Sequence, residues 1–254
     1  VQSPATKVAL VTGSGRRRVG NVVVEALARR GFDVVVHYRT AAAEAQQTAL
    51  ELRGLGVRAL ALGAELTQEE AVRDLVGETR RQMGRLDVLV NCAGAWSAQR
   101  FEDVTASEVR RYFESNVLAT FLCCQQAGLA MVAQPEGGCI VNLGDWAIER
   151  PYANYAAYFA SKGAVPALTR SLAVELGTRN PKVRVNCIHP GPVLFPADLP
   201  AEERAEAVRG TLLQREGRPE NIAQGVLFLI DNDFVTGACI TIDGGRSVYA
   251  PDSA

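Results

Sequence analysis

Short apolar runs rich in β-branched residues alternate along the chain with longer stretches whose apolar positions recur at helical spacing. Residues 8–11, 34–36, 57–62, 86–90, 139–143, 183–188 and 238–242 read as strands. Residues 20–30, 42–55, 69–83, 107–132 and about 154–176 read as helices between them. The run 86–90 is almost uninterruptedly apolar, as a strand covered on both faces requires. Alternation at this spacing predicts an α/β protein: a doubly wound parallel sheet of seven strands, helices on both faces and right-handed crossovers. No linker, repeat or low-complexity tract interrupts it, so residues 1–254 read as one domain. The segment 191–218 is rich in proline and charge and breaks the alternation just after a strand, where a loop covering a substrate would sit.

Composition removes several alternatives. With 27 Lys+Arg against 28 Asp+Glu, the chain lacks the basic excess that nucleic acid or a membrane surface selects. Residues 115–135 carry no charge over 21 positions, which invites a membrane reading. Asn116, Gln125 and Gln126 interrupt that stretch and no basic flank follows, so a helix buried in protein is expected. Six cysteines without a C-x-x-C pair, all in apolar sequence, read as buried core thiols of a reducing, cytoplasmic compartment. His37 and His189 are too few and too isolated to suggest zinc, and no metal is expected. Residues 1–7 are polar and carry no signal-peptide pattern.

The first strand runs through Thr12-Gly13-Ser14-Gly15-Arg16-Arg17-Arg18-Val19-Gly20 straight into a helix. Glycines there let backbone approach a pyrophosphate, whose charge a helix N-terminus favours. A plain turn with solvated arginines is the alternative. The second strand ends His37-Tyr38-Arg39-Thr40, with no carboxylate to receive a ribose 2′-hydroxyl. Arg39 offers a guanidinium fork for a 2′-phosphate, Thr40 a hydroxyl and Arg17 added charge, which predicts NADP(H) over NAD(H). The competing reading makes Arg39 the start of a solvated loop.

Tyr158 and Lys162 lie four apart on a predicted helix and so share one face. An ammonium beside a phenol lowers its pKa, which would suit Tyr158 to deliver a proton to a substrate that accepts a hydride. Thirteen residues before Tyr158, Asp145 follows the fifth strand.

These residues carry a resemblance that spans nearly the whole chain, to the short-chain dehydrogenase/reductase family. Its marks are the Thr12-Gly13 loop, Asn91-Cys92-Ala93-Gly94, Asn116, Tyr158…Lys162, Pro190-Gly191, and Thr236-Gly237 with Ile242-Asp243-Gly244-Gly245. The resemblance implies a Rossmann-type sheet and commonly a homotetramer. It further implies that Lys162 binds the nicotinamide ribose while tuning Tyr158, and that Asn116 holds a helix kink and a proton-relaying water. On the same basis Glu65, Leu66, Asn91, Ala93, Gly94, Pro190, Gly191 and Val193 are expected to line the cofactor.

The departures from that pattern are informative. Asp145 stands where the family has a serine that donates to a substrate carbonyl, and an ionised carboxylate has no proton to donate. It could accept from the N–H of an amino-heterocycle, or pass protons to Tyr158 when itself protonated. Aspartate there resembles the pteridine reductase branch, as do the basic loop, His37-Tyr38-Arg39 and the short segment 192–200, where Phe195 replaces the family threonine. Trp96 falls where that branch stacks an aromatic on the pterin, with Leu194 as a further substrate contact; plain packing under a loop is the alternative for Trp96. The expected activity is therefore NADPH-dependent reduction of a C=N bond in a pteridine-like heterocycle. A 3-oxoacyl-thioester or other carbonyl reductase is the alternative within the class, and a non-catalytic NADP(H)-binding sensor is the alternative outside it.

Overall fold

The computed structural model describes residues 6–195 and 199–250. Seven parallel strands are β1 (Val8–Thr12), β2 (Asp33–Tyr38), β3 (Ala59–Gly63), β4 (Val88–Asn91), β5 (Gly138–Leu143), β6 (Val183–Pro190) and β7 (Cys239–Ile242). They form one parallel sheet of seven strands, as the strand pattern predicted, in the order β3-β2-β1-β4-β5-β6-β7. Successive side chains along each strand point to opposite faces. Val8, Leu10, Leu89, Ile140 and Val185 accordingly pack with helices α3 (Glu69–Met83), α5 (Ala119–Val132) and α6 (Ala156–Gly177). Ala9, Val11, Val90, Val141 and Ile188 pack on the other face with α1 (Val19–Arg29), α2 (Ala42–Arg53) and α8 (Pro219–Asp231). Two full apolar layers explain why the strands read as nearly continuous hydrophobic runs.

The expected helix over 107–132 is divided. α4 (Ala106–Phe113) passes into a wide π turn (Glu114–Leu118) and then into α5. Asn116 sits in that turn, in keeping with the kink that the resemblance implied. The stretch 106–132 is long and apolar enough to cross a membrane, yet Leu122, Cys123, Cys124, Ala127 and Met131 are buried against the sheet. It is a core helix.

Two helices were not anticipated from sequence: α7 (Ala201–Arg209), inside the segment read as a loop, and α8. Pro219 opens α8 at a position where its missing N–H costs nothing, and Ile222, Val226 and Leu229 give its buried stripe. The far end of α8 is finished by the buried guanidinium of Arg184 on β6, which donates to the carbonyls of Leu229, Ile230 and Val235. Residues 196–198 of the 192–200 segment lie outside the described residues.

Candidate active site

Strand register brings the carboxyl ends of the central strands level, with Thr12 beside Asn91 and Asn91 beside Asn142. Strand order reverses between β1 and β4, and the crevice at such a point is where open α/β sheets bind ligands. Thr12 Oγ1 accepts from the N–H groups of Cys92 and Ala93 at 3.0 and 3.1 Å, which fixes the loop after β4 against the loop after β1. Gly13 holds φ +65°, and a Cβ there would stand 3.0 Å from the Ala93 backbone. Only glycine permits both. Gly20, in the first turn of α1, packs against the Gly13 carbonyl, and Asn91 lies buried behind, donating to Asn142 Oδ1 at 2.9 Å.

The residues expected at the cofactor divide into those that face the crevice and those that shape it from behind. His37 belongs to the second group. It is buried, its Nδ1 accepts from the Gly13 N–H at 3.0 Å and its Nε2 lies 3.1 Å from the Ala64 carbonyl. Burial lowers its pKa, so the ring stays neutral as this acceptor–donor arrangement requires. Tyr38 packs its ring over Gly63, and Leu66 and Val193 are core residues. Ser14, not singled out in the sequence, links His37 to β1 by accepting from the His37 N–H and donating to the Val11 carbonyl.

Arg16, Arg17, Arg18, Arg39 and Thr40 are exposed at the rim. Arg16 lies 3.7 Å from Glu44. The Arg39 guanidinium lies 3.8 Å from one oxygen of Glu65, whose other oxygen accepts from Thr67 Oγ1 at 3.0 Å. Pro190 ends β6 beside Ile242 of β7, and the N–H of Gly191 just after it donates to the Ile242 carbonyl.

At the reacting end the three anticipated side chains converge. The Tyr158 hydroxyl donates to Asp145 Oδ2 at 2.6 Å, and Asp145 Oδ1 accepts from the Ala147 N–H at 2.9 Å. Lys162 is buried and spends one of its three donors on the Leu143 carbonyl at 2.9 Å. Asn116 is fully occupied: its Oδ1 accepts from the Ala95 N–H, and its Nδ2 donates to the Ala95 carbonyl and Ser161 Oγ. A Cβ at Gly94 would stand 3.0 Å from Asn116 Oδ1 and 3.6 Å from Lys162 Nζ, so the missing side chain keeps a small slot open above both.

One electrostatic expectation is corrected. Burial, then the Asp145 charge and its hydrogen bond, push the Tyr158 phenol well above the usual tyrosine range rather than below it. Lys162 does not reverse this because its ammonium is engaged at Leu143, and burial lowers its own pKa against the opposing pull of Asp145. The phenol is thereby held protonated, which suits delivery of a proton and opposes its removal.

Trp96 is half exposed and stacks on Tyr155 with ring centroids 6.2 Å apart and planes 28° from parallel. Tyr155 in turn stands 6.2 Å from Tyr158 edge-on, and Tyr152 and Phe159 complete an aromatic wall. Sequence reading found Trp96 but missed Tyr155, although Tyr155 lies three residues before Tyr158 and so near the same helix face. Leu194 is exposed, and Phe195 lies under the Arg204 guanidinium at 5.5 Å.

A glycine loop meeting a helix at the sheet's reversal point, beside a buried Tyr–Lys pair, defines a dinucleotide-binding oxidoreductase. A family model described as enoyl-(acyl carrier protein) reductase matches residues 15–247. The chain belongs to the short-chain dehydrogenase/reductase family. An uncharacterized oxidoreductase of Methylorubrum extorquens is 37% identical over 246 residues, 94% of this chain and 97% of that one. A hydroxynaphthalene reductase-like protein of Metarhizium brunneum is 35% identical over 262 residues, 96% of each chain. Among solved structures, a blue fluorescent protein from a metagenomic library in complex with NADPH has a TM-score of 0.86 at 36% identity, covering 94% of this chain and 97% of that one. A 7α-hydroxysteroid dehydrogenase complexed with NADH has a TM-score of 0.88 at 32% identity, covering 94% and 93%.

Proposed function

We propose that this protein is an NADP(H)-dependent reductase of flat ring substrates, with a C=N heterocycle of pteridine type as its preferred class. The observation that carries the reading is the 2.6 Å bond from the Tyr158 phenol to the Asp145 carboxylate, beside the stacked Trp96 and Tyr155 rings. A carboxylate facing the substrate is complementary to a ring N–H and repels the oxyanion that develops when a ketone is reduced. The aromatic wall offers a planar slot in which ring stacking adds about 0.5–1.5 kcal/mol beyond burial.

The crevice fits a dinucleotide on its own geometry. Gly13 lets the loop after β1 close against the loop after β4 at the start of α1, whose N-terminus favours a pyrophosphate, and the slot at Gly94 opens onto Lys162, whose remaining donors suit a ribose diol. The nicotinamide, when bound, supplies the hydride. Tyr158 then protonates the neighbouring substrate atom, and Asp145 holds the phenol in line beforehand. Arg39, with Arg17 and Thr40 at the same rim, favours the 2′-phosphorylated nucleotide, because no carboxylate ends β2 to take a bare ribose hydroxyl. The half-exposed Phe113, Leu118, Phe121 and Leu129 along α4, the π turn and α5 supply an apolar strip that supports the expected homotetramer. Thiols free of disulfides are in keeping with a cytoplasmic setting.

A carbonyl reductase is the second reading, favoured by the likeness to a hydroxynaphthalene reductase-like protein, whose name also denotes a planar ring system. One panel separates the two. NADPH consumption is followed with a dihydropterin, a quinonoid dihydropterin, a polycyclic ketone and a 3-oxoacyl thioester, for the unmodified protein and for Asp145→Ser. The heterocycle reading expects pterin turnover in the unmodified protein and a shift towards ketones in Asp145→Ser. Ketone turnover without pterin turnover in the unmodified protein overturns it. In the same assay Arg39→Ala is expected to weaken NADPH about tenfold or more while sparing NADH, since a charge-assisted phosphate contact is worth about 1.5–3 kcal/mol. Equal effects on both nucleotides would remove the assigned phosphate role.

A further inference from the structure

Along the sequence the two histidines are isolated from each other and the cysteines lie in apolar runs, a pattern that suggests no metal. Strand pairing changes the neighbourhood of one of them. Cys187 on β6 lies directly beside Cys239 on β7, and His189 follows two residues after Cys187, so all three share one face of the sheet. Their ligating atoms all lie within 4.8 Å of one another, with Cys187 Sγ 4.0 Å from His189 Nδ1. Cys187 and His189 are buried, whereas Cys239 is partly exposed on the last strand of the sheet.

We propose that Cys187, His189 and Cys239 form a three-ligand site for a soft divalent cation of the zinc type. Zinc binds thiolate sulfur at about 2.3 Å and imidazole nitrogen at about 2.0–2.1 Å, so tetrahedral ligand atoms lie roughly 3.4–3.8 Å apart. The observed spacing, up to 4.8 Å, needs a contraction of no more than about 1.4 Å, within reach of side-chain rotations. Two thiols and one imidazole select zinc, cadmium or cobalt over magnesium or calcium. Lys162 faces Cys187, and Arg170 acts on Cys239, so an isolated cation would be repelled here. Ligation by two thiolates cancels the ion's double charge and sends both thiol protons to solvent, which removes that objection. The partly exposed side of Cys239 gives the ion its entry path and leaves the fourth position to water. Cys187 is near enough to Lys162 for their charges to act on each other, and β6 runs on from His189 to its end at Pro190, so an ion here would lie near Lys162.

The test uses reduced, chelator-stripped whole protein titrated with Cd²⁺ and, separately, with Co²⁺, and it reads absorption rather than turnover. It therefore stands or falls independently of the reductase reading. One equivalent is expected to bind, with an ultraviolet thiolate-to-cadmium charge-transfer band and, for cobalt, the visible bands of a tetrahedral site that zinc bleaches. Cys239→Ser and His189→Asn are each expected to weaken binding at least about tenfold. Cys139→Ser, which removes a buried thiol packed on the other face of the sheet, is expected to leave it unchanged. Cys239 is partly exposed at the sheet edge, so its serine variant keeps the test open even if Cys187→Ser does not fold. Failure of the unmodified protein to bind one equivalent, or binding that survives Cys239→Ser, overturns the proposal.

Discussion

Tyr158→Phe is expected to reduce turnover by roughly 10²–10⁴-fold while leaving NADPH affinity unchanged, the usual worth of a positioned general acid. The substitution removes one hydroxyl and keeps the ring that packs against Tyr112, Tyr155 and Phe159, so the fold has no reason to respond. Its pH behaviour is the sharper part. Because burial and Asp145 raise the phenol's pKa, the protonated form that reduction needs is present throughout the neutral range. Oxidation of a product in the reverse direction needs the phenolate, so its rate should climb only as the solution becomes strongly alkaline. Asp145→Asn removes the charge and should move that rise to lower pH. Rate profiles in both directions check this; an oxidation limb that stays in place in Asp145→Asn contradicts the electrostatic assignment.

Asn116→Leu is expected to be the most destabilising single change near the site. The Asn116 amide is almost fully buried and supplies three hydrogen bonds, to both backbone groups of Ala95 and to Ser161. Leucine leaves those partners facing an apolar group, at roughly 1–3 kcal/mol for each one left unsatisfied. A loss on the order of 3 kcal/mol corresponds to about 6–12 °C in melting temperature for a chain of this size. Thermal melting reads the stability, and turnover at a temperature well below the melt should also fall, because Ala95 leads directly into Trp96. A melting shift under about 2 °C would mean that the amide is not what holds the π turn to the loop after β4.

Much of this was legible before any coordinates. Buried strands announce themselves as apolar runs, and the spacing of Tyr158 and Lys162 put them on one helix face. The break in 106–132 was not readable from periodicity, because its cause is a contact between Asn116 and a loop some twenty residues earlier. Helix α8 was readable and was passed over: Pro219 and the spacing of Ile222, Val226 and Leu229 are its signature. The sign of the Tyr158 shift could not be read, since it turns on the burial of the phenol and its bond to Asp145, with Lys162 engaged at the Leu143 carbonyl. The neighbourhood of His189 was equally hidden, because only strand register brings Cys239 to Cys187.

The Arg184 guanidinium has a consequence for how the molecule comes apart. It is a cation nearly sealed from solvent, and the partners that neutralise it are three main-chain oxygens from residues 229–235. Shortening the protein from its C-terminus to remove those oxygens would strand a bare charge inside β6, the strand that ends at Pro190 and leads into Gly191. The last quarter of the sequence and the carboxyl-end rim of β6 should therefore lose protection against hydrogen exchange together, as one cooperative unit, rather than peel away from the edge strand inward.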